Sequence, residues 1–159
     1  MMDKLTLAIE FAAKAHDGMV RKKDKTPYIL HPLEAATIVG TMTSDQDVIS
    51  AAVLHDVVED TEITIDEIED LFGNRVRKLV ESETEDKRAD LPPEDTWKIR
   101  KEESLKVLKN AENVDVLMLW LGDKLANMRS FYRIWMCLLP WNLFSGISRM
   151  RSFLITAAA

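Results

Sequence analysis

The strongest constraint on this chain is a pair of adjacent residues, His55 and Asp56, set in the run Ala51-Ala-Val-Leu-His-Asp-Val-Val-Glu-Asp60. The residues leading into the pair, Val48, Ile49, Ala51, Ala52, Val53 and Leu54, have the pattern of a helix buried on most sides. An ionised carboxylate in such surroundings needs a partner, because an unpaired buried charge is very costly. A divalent cation shared by the imidazole and the carboxylate supplies one. Neighbouring helical side chains lie about 100° apart, so both can reach one ion at the helix surface. Glu59 and Asp60 follow one turn later and project from the same helix face. Either can hold or deprotonate a water beside the ion. The alternative is a solvated acid pair at a helix C-terminus, which opposes the helix dipole.

The rest of the chain reads as helices joined by short connections. Leu5, Ala8, Ile9, Ala12 and Ala13 form one stripe over 5–16, and Asp17-Gly18 ends it. A basic loop from Arg21 to Tyr28 follows. Pro32 suits the first turn of a second helix, expected to reach about Thr41 with Leu33, Ala36, Thr37 and Gly40 inward. Ser44 or Asp45 caps the helix that carries His55 and Asp56, expected to be continuous through Asp60. Thr64-Ile-Asp-Glu67 is a capping box that opens a short helix ending before Gly73, and Val76, Leu79 and Val80 form a further stripe. The segment 81–95 is acidic and contains Pro92-Pro93, so it is expected to be a solvated loop. A charged helix is predicted over 96–110 and a buried one over 113–133. Five Gly and five Pro are too few for a turn-rich β architecture. The expected fold is all-α, a helical bundle of about seven helices, with 1–133 as the domain and 134–159 as an apolar C-terminal extension.

Two further residues join the candidate metal ligands. Asp123 lies in the apolar stretch Leu119-Trp-Leu-Gly-Asp-Lys-Leu-Ala-Asn-Met-Arg129, where Gly122 permits close backbone approach and Asn127 shares the face of Asp123. A lone Asp there could instead pair with Lys124 or Arg129. His31 closes the segment Arg21-Lys-Lys-Asp-Lys-Thr-Pro-Tyr-Ile-Leu-His-Pro32, whose Arg21 and Lys22 can neutralise phosphate oxygens or stack on a base. The third histidine, His16, reads as structural. Two imidazoles with two carboxylates suit Mn²⁺ better than a structural zinc site.

Charge and composition narrow the partners. A net charge of −6 argues against a general nucleic-acid binder, so cationic groups must be local. The one cysteine, Cys137, cannot form an internal disulfide, which together with the lack of a signal-peptide pattern points to the cytoplasm. No stretch reaches the ~18 apolar residues of a membrane span. All 27 acids lie at or before Asp123, and the tail beyond is apolar, with Trp135, Leu138, Leu139, Trp141, Leu143 and Phe144 close together. A packed terminal helix or a homo-oligomer surface is favoured there over an interfacial membrane segment, which Pro140 interrupts.

These blocks, in this order, resemble the hydrolase domain of the RelA/SpoT family, a branch of the HD-domain phosphohydrolases. The resemblance runs through Ala15-His-Asp-Gly18 with Arg21-Lys22, Pro27-Tyr-Ile-Leu-His-Pro32, Ala52-Val-Leu-His-Asp-Val-Val-Glu-Asp-Thr61, Phe72-Gly73 with Val76 and Leu79-Val80, and Asp123-Lys-Leu-Ala-Asn-Met-Arg129. It is closest to the stand-alone small alarmone hydrolases. It implies a Mn²⁺-dependent enzyme that removes the 3′-pyrophosphate from guanosine tetra- or pentaphosphate with a metal-activated water. By the same resemblance His31, His55, Asp56 and Asp123 match the metal ligands and Glu59 and Asp60 the acidic pair of hydrolysis. Arg21, Lys22 and Asn127 match nucleotide contacts. The acidic stretch Glu81-Ser-Glu-Thr-Glu-Asp86 stands where the family carries a more neutral sequence, and its charge would repel a polyphosphate. Hydrolysis of another nucleotide or phosphoester, or nucleotide binding without turnover, are the alternative readings.

Overall fold

The computed structural model describes residues 3–22, 24–84 and 91–138. Among them are eight helices and no strand: α1 (Lys4–Ala15), α2 (Leu30–Val39), α3 (Gln46–Leu54), α4 (Val57–Asp60), α5 (Ile65–Phe72), α6 (Asn74–Glu83), α7 (Pro93–Lys109) and α8 (Val114–Leu138). The all-helical expectation holds, and the eighth element is the single turn α4. The chain divides into two compact units, Met1–Asn127 and Met128–Ala159. Residues 85–90 of the acidic segment and 139–159 of the apolar tail, where an oligomer surface was expected, lie outside the described residues. No helix among the described residues is long and apolar enough to cross a membrane.

Helix α3 is the centre of the first unit and packs on α1, α2 and α6. Val48, Ala51, Ala52, Val53 and Leu54 are fully buried, so this helix has almost no solvated side. Burying a side chain such as Leu54 contributes about 1.5–3 kcal/mol. The Asp45 carboxylate starts α3 by accepting from the Asp47 N–H at 2.9 Å, satisfying one of the unpaired N–H groups of the first turn. Lys4 on α1 holds Asp47 at 2.5 Å, and Arg75 on α6 reaches Asp45 and, on α8, Asp115 at 2.7 and 2.8 Å. The capping box expected at Thr64 is present, with the Glu67 carboxylate accepting from the Thr64 N–H at 2.8 Å. Gly73 joins α5 to α6 at φ 90°, a conformation that favours glycine.

Three expectations need correction. The helix through 45–60 is not continuous: the regular ladder stops at Leu54, and α4 begins at Val57. At the junction the Ala52 carbonyl receives the ring N–H of His55 at 2.8 Å, so a side chain takes a carbonyl at the end of the helix. The inward face of α2 is His31, Pro32, Ala35, Ala36 and Val39, whereas Thr37 and Gly40 are exposed. The phase is set by His31, a polar residue turned inward, which a reading of apolar residues alone passes over. The loop expected over 81–95 is shorter, because α6 continues to Glu83 and α7 starts at Pro93, where a proline suits the first helical turn.

Candidate metal centre and cleft

The four candidate ligands arrive from three places. His31 is in the first turn of α2, His55 and Asp56 form the α3–α4 junction, and Asp123 is in α8. Gly122 makes the last approach possible: a Cβ there would lie 2.6 Å from Val39 Cγ2 and 3.1 Å from the Ala35 carbonyl oxygen, both on α2. With that close crossing, Asp123 Oδ1 lies 3.1 Å from His31 Nε2 and 3.7 Å from His55 Nε2. Asp56 Oδ2 lies 3.4 Å from His31 Nε2 and 3.2 Å from His55 Nε2. The donor atoms of His31, His55 and Asp123 all fall within 4.8 Å of one another.

The donor set fits a divalent cation. Because a carbonyl can only accept, the contact with Ala52 puts the proton of neutral His55 on Nδ1 and leaves Nε2 with a lone pair. That Nε2 is buried and makes no hydrogen bond among the described residues, and it faces two carboxylates. A lone pair opposed to two carboxylate oxygens is unfavourable unless a proton or a metal ion lies between them. A backbone carbonyl that orients a histidine is also the usual support of a metal-binding imidazole. Without a metal ion the proton takes that role: burial opposes the His55 charge, but Asp56 and Asp123 outweigh it and hold the imidazole well above its ordinary range. Burial likewise opposes ionisation of Asp56 and Asp123, yet their contacts with the histidines keep both carboxyls well below the usual carboxylate range.

A second layer of contacts fixes the carboxylates. The Tyr28 hydroxyl donates to Asp56 Oδ2 at 2.8 Å, and burial followed by the charge of Asp56 pushes its pKa up, so it stays a donor. Asp60 is within reach of the same hydroxyl. Asn127 donates to Asp123 Oδ1 at 2.6 Å and accepts from Arg21 at 3.0 Å, while Lys124 donates to Asp123 Oδ2. The Arg21 guanidinium also lies over the Tyr28 ring, 5.8 Å from its centre. The loop that carries Arg21 is closed by an isolated bridge between Val20 and Pro27 and by the Arg21 N–H donating to the Thr26 carbonyl at 2.8 Å.

The centre opens into a cleft of about 280 Å³, whose wall includes Arg21, Glu59, Glu83, Arg100, Lys101 and Lys124. Of the residues singled out from sequence, His31, His55, Asp56, Asp123, Glu59, Arg21 and Asn127 all line it. Asp60 reaches the Tyr28 hydroxyl but does not line the cleft, and Lys22 is exposed on the loop outside it. Sequence reasoning missed Tyr28, Arg100 and Lys101, whereas Glu83 belongs to the acidic stretch 81–86 whose charge is expected to repel a polyphosphate. Tyr28 stands in the segment already singled out, three residues before His31, but its partner is distant in sequence. Arg100 and Lys101 lie in the charged helix predicted over 96–110, where nothing in the sequence separates them from the other charged residues.

The chain is similar to known proteins over most of its length. The family model described as HD domain matches residues 8–134. A guanosine-3′,5′-bis(diphosphate) 3′-pyrophosphohydrolase of Aquifex aeolicus is 37% identical over 130 residues, covering 82% of this chain and 18% of the relative. A protein of Brucella ovis named GTP pyrophosphokinase rsh is 40% identical over 126 residues, 79% of this chain and 16% of the relative. The chain therefore spans less than a fifth of these relatives. A solved structure of a metazoan ortholog of SpoT, described as hydrolysing ppGpp and acting in starvation responses, superposes with a TM-score of 0.68 at 33% identity. It covers 81% of this chain and 70% of that one.

Proposed function

Because the chain belongs to the HD-domain family, we propose that it is a metal-dependent phosphohydrolase whose substrate is guanosine-3′,5′-bis(diphosphate), cleaved at the 3′-pyrophosphate. The observation that carries this reading is the convergence of two imidazoles and two carboxylates at a cleft walled by Arg21, Arg100, Lys101 and Lys124. The names of the relatives favour the guanine nucleotide.

In this reading His31, His55, Asp56 and Asp123 hold one divalent ion, with Mn²⁺ suited to the mixed nitrogen and oxygen donors. The bound ion supplies Lewis-acid polarisation of a phosphoryl oxygen and a nucleophile at neutral pH. Glu59, which lines the cleft, accepts the proton of the attacking water. The water oxygen bonds to phosphorus, the phosphorus–O3′ bond breaks with its electron pair going to O3′, and a proton returns to that oxygen. The products are GDP and pyrophosphate. Arg21, Arg100, Lys101 and Lys124 offset charge on the phosphate oxygens. Tyr28 and Asn127 hold Asp56 and Asp123 in place, and Asp60 supports Tyr28. Lys22, exposed on the loop outside the cleft, adds long-range attraction for the anion.

The test is product analysis after incubation of the full chain with guanosine-3′,5′-bis(diphosphate), with Mn²⁺ and then with chelator. Expected is GDP formation that stops with chelator, returns with Mn²⁺ and is abolished in His55→Ala. Undiminished turnover in that variant would overturn the metal assignment. The same chemistry on a less highly charged phosphoester is a second reading, favoured by the Glu83 carboxylate in the cleft wall. Hydrolysis of such a compound in preference to the bis(diphosphate) would select it.

A further inference from the structure

A carboxylate in the wall of a phosphate-binding cleft is costly, because it opposes the ligand. Glu83, the last residue of α6, occupies such a place. It lines the main cleft beside Arg100, Lys101 and Lys124. It also lines a smaller recess behind, with Ser82, Ser104, Leu108, Val116, Trp120 and again Lys124. Glu83 and Lys124 therefore form the partition between the two spaces. Lys124 is held there by Asp123, to which it donates, and by the Trp120 ring, 5.4 Å from its ammonium.

We propose that Glu83 is a specificity-determining residue, a fixed negative charge beside Lys124 that makes the cleft select its ligand by the charge of the phosphate group next to Asp123. Lys124 cannot give its full charge to a phosphate while it answers both Asp123 and Glu83. A phosphate group bearing one more negative charge meets Glu83 at short range, where the effective dielectric is well below that of water. Selection of this kind works by penalising the wrong partner rather than by adding contacts to the right one. The inference rests on the phosphohydrolase reading given above and deepens it.

The groups facing Glu83 set when the device operates. They are Lys124 and Asp123 from α8, His55 and Asp56 from the α3–α4 junction, and Arg100 and Lys101 from α7. Burial, opposed by Lys124 and reinforced by Asp123, pushes the Glu83 carboxyl up to about 7. The penalty is therefore present at pH 8, where Glu83 is charged.

The experiment compares Glu83→Gln with the wild type on two ligands that differ by one phosphate, guanosine 5′-diphosphate carrying a 3′-monophosphate or a 3′-diphosphate. Dissociation constants and kcat/KM are measured with Mn²⁺ at pH 8. At pH 8 the substitution is expected to improve affinity for the 3′-diphosphate by about tenfold more than for the 3′-monophosphate. An equal change for both ligands, or an equal loss, would show that Glu83 only positions Lys124 and would overturn the proposal. Glu83→Ala provides the same comparison if the glutamine variant does not fold. If neither ligand is hydrolysed, the proposed activity fails, while the ratio of dissociation constants still decides the role of Glu83.

Discussion

The ring N–H of His55 donates to the carbonyl of Ala52 at 2.8 Å, which turns Nε2 toward Asp56 and Asp123. One local hydrogen bond thus selects the tautomer that a metal ion requires. In the metal-free protein the same Nε2 takes a proton that the two carboxylates retain. Metal and proton compete for it, so metal binding is expected to release a proton and to strengthen as pH rises through the acid and neutral range. Calorimetry of Mn²⁺ binding in buffers of different ionisation enthalpy checks this. His55→Gln, which keeps the bulk of the side chain, is expected to weaken metal binding by more than about a hundredfold, beyond the usual cost of losing an outer partner. Proton release that persists unchanged in this variant would contradict the assignment.

Tyr28 supports Asp56 from behind, and its loss is separable from loss of a ligand. In Tyr28→Phe the ring stays between His16 and His31, with which it makes aromatic contacts, while the bond to Asp56 Oδ2 disappears. The expected outcome is metal affinity lower by about 10–100-fold with little change in thermal stability of the chelated protein. Chelator competition and a melting curve measure the two effects. A large loss of stability without any loss of affinity would assign Tyr28 to packing alone.

The parts of this layout that are local were legible in the sequence. Asp45 and the Thr64–Glu67 box act on N–H groups two or three residues away, so their pattern alone announces them. The pairing of His55 with Asp56 was legible for the same reason, as a buried charge requiring a partner. Tyr28 was not, because its role arises where the loop before α2 meets the α3–α4 junction, and for Glu83 the sequence shows an acidic stretch but not which carboxylate lines the cleft beside Lys124. The inward phase of α2 was also hidden, since its functional histidine faces the core and blurs the apolar periodicity.

Gly122 permits a close approach of α8 to α2. A methyl group at this position would press on Val39 Cγ2 at 2.6 Å and on the Ala35 carbonyl at 3.1 Å. Gly122→Ala is expected to cost about 1–3 kcal/mol in denaturant unfolding. Because α2 also carries His31, the displacement should separate His31 from Asp123, now 3.1 Å apart, and lower metal affinity as well. Adding Val39→Ala removes the nearer contact and should restore part of both losses. Independent, additive effects of the two substitutions would argue against this packing account.

His16 provides a pH test away from the ligands. It is 2% exposed, neither ring nitrogen makes a hydrogen bond among the described residues, and its ring lies 5.0 Å from that of Tyr28. Burial lowers its pKa below the ordinary imidazole value of 6.5, although Asp56 and Asp60 pull the other way. As pH falls through about 6.5 the unfolded chain takes up a proton that the folded chain resists. The stability contributed by a neutral His16 is therefore present above that pH and is lost as pH falls toward the folded value. The slope cannot exceed about 1.4 kcal/mol per pH unit for one proton. His16→Leu has no proton to gain, so its urea-unfolding free energy should decline less than that of the wild type between pH 7 and pH 5. Measuring both proteins under the same metal conditions cancels the titration of the other histidines. Parallel curves would mean that His16 is charged in the folded protein and that the adjacent carboxylates, not burial, control it.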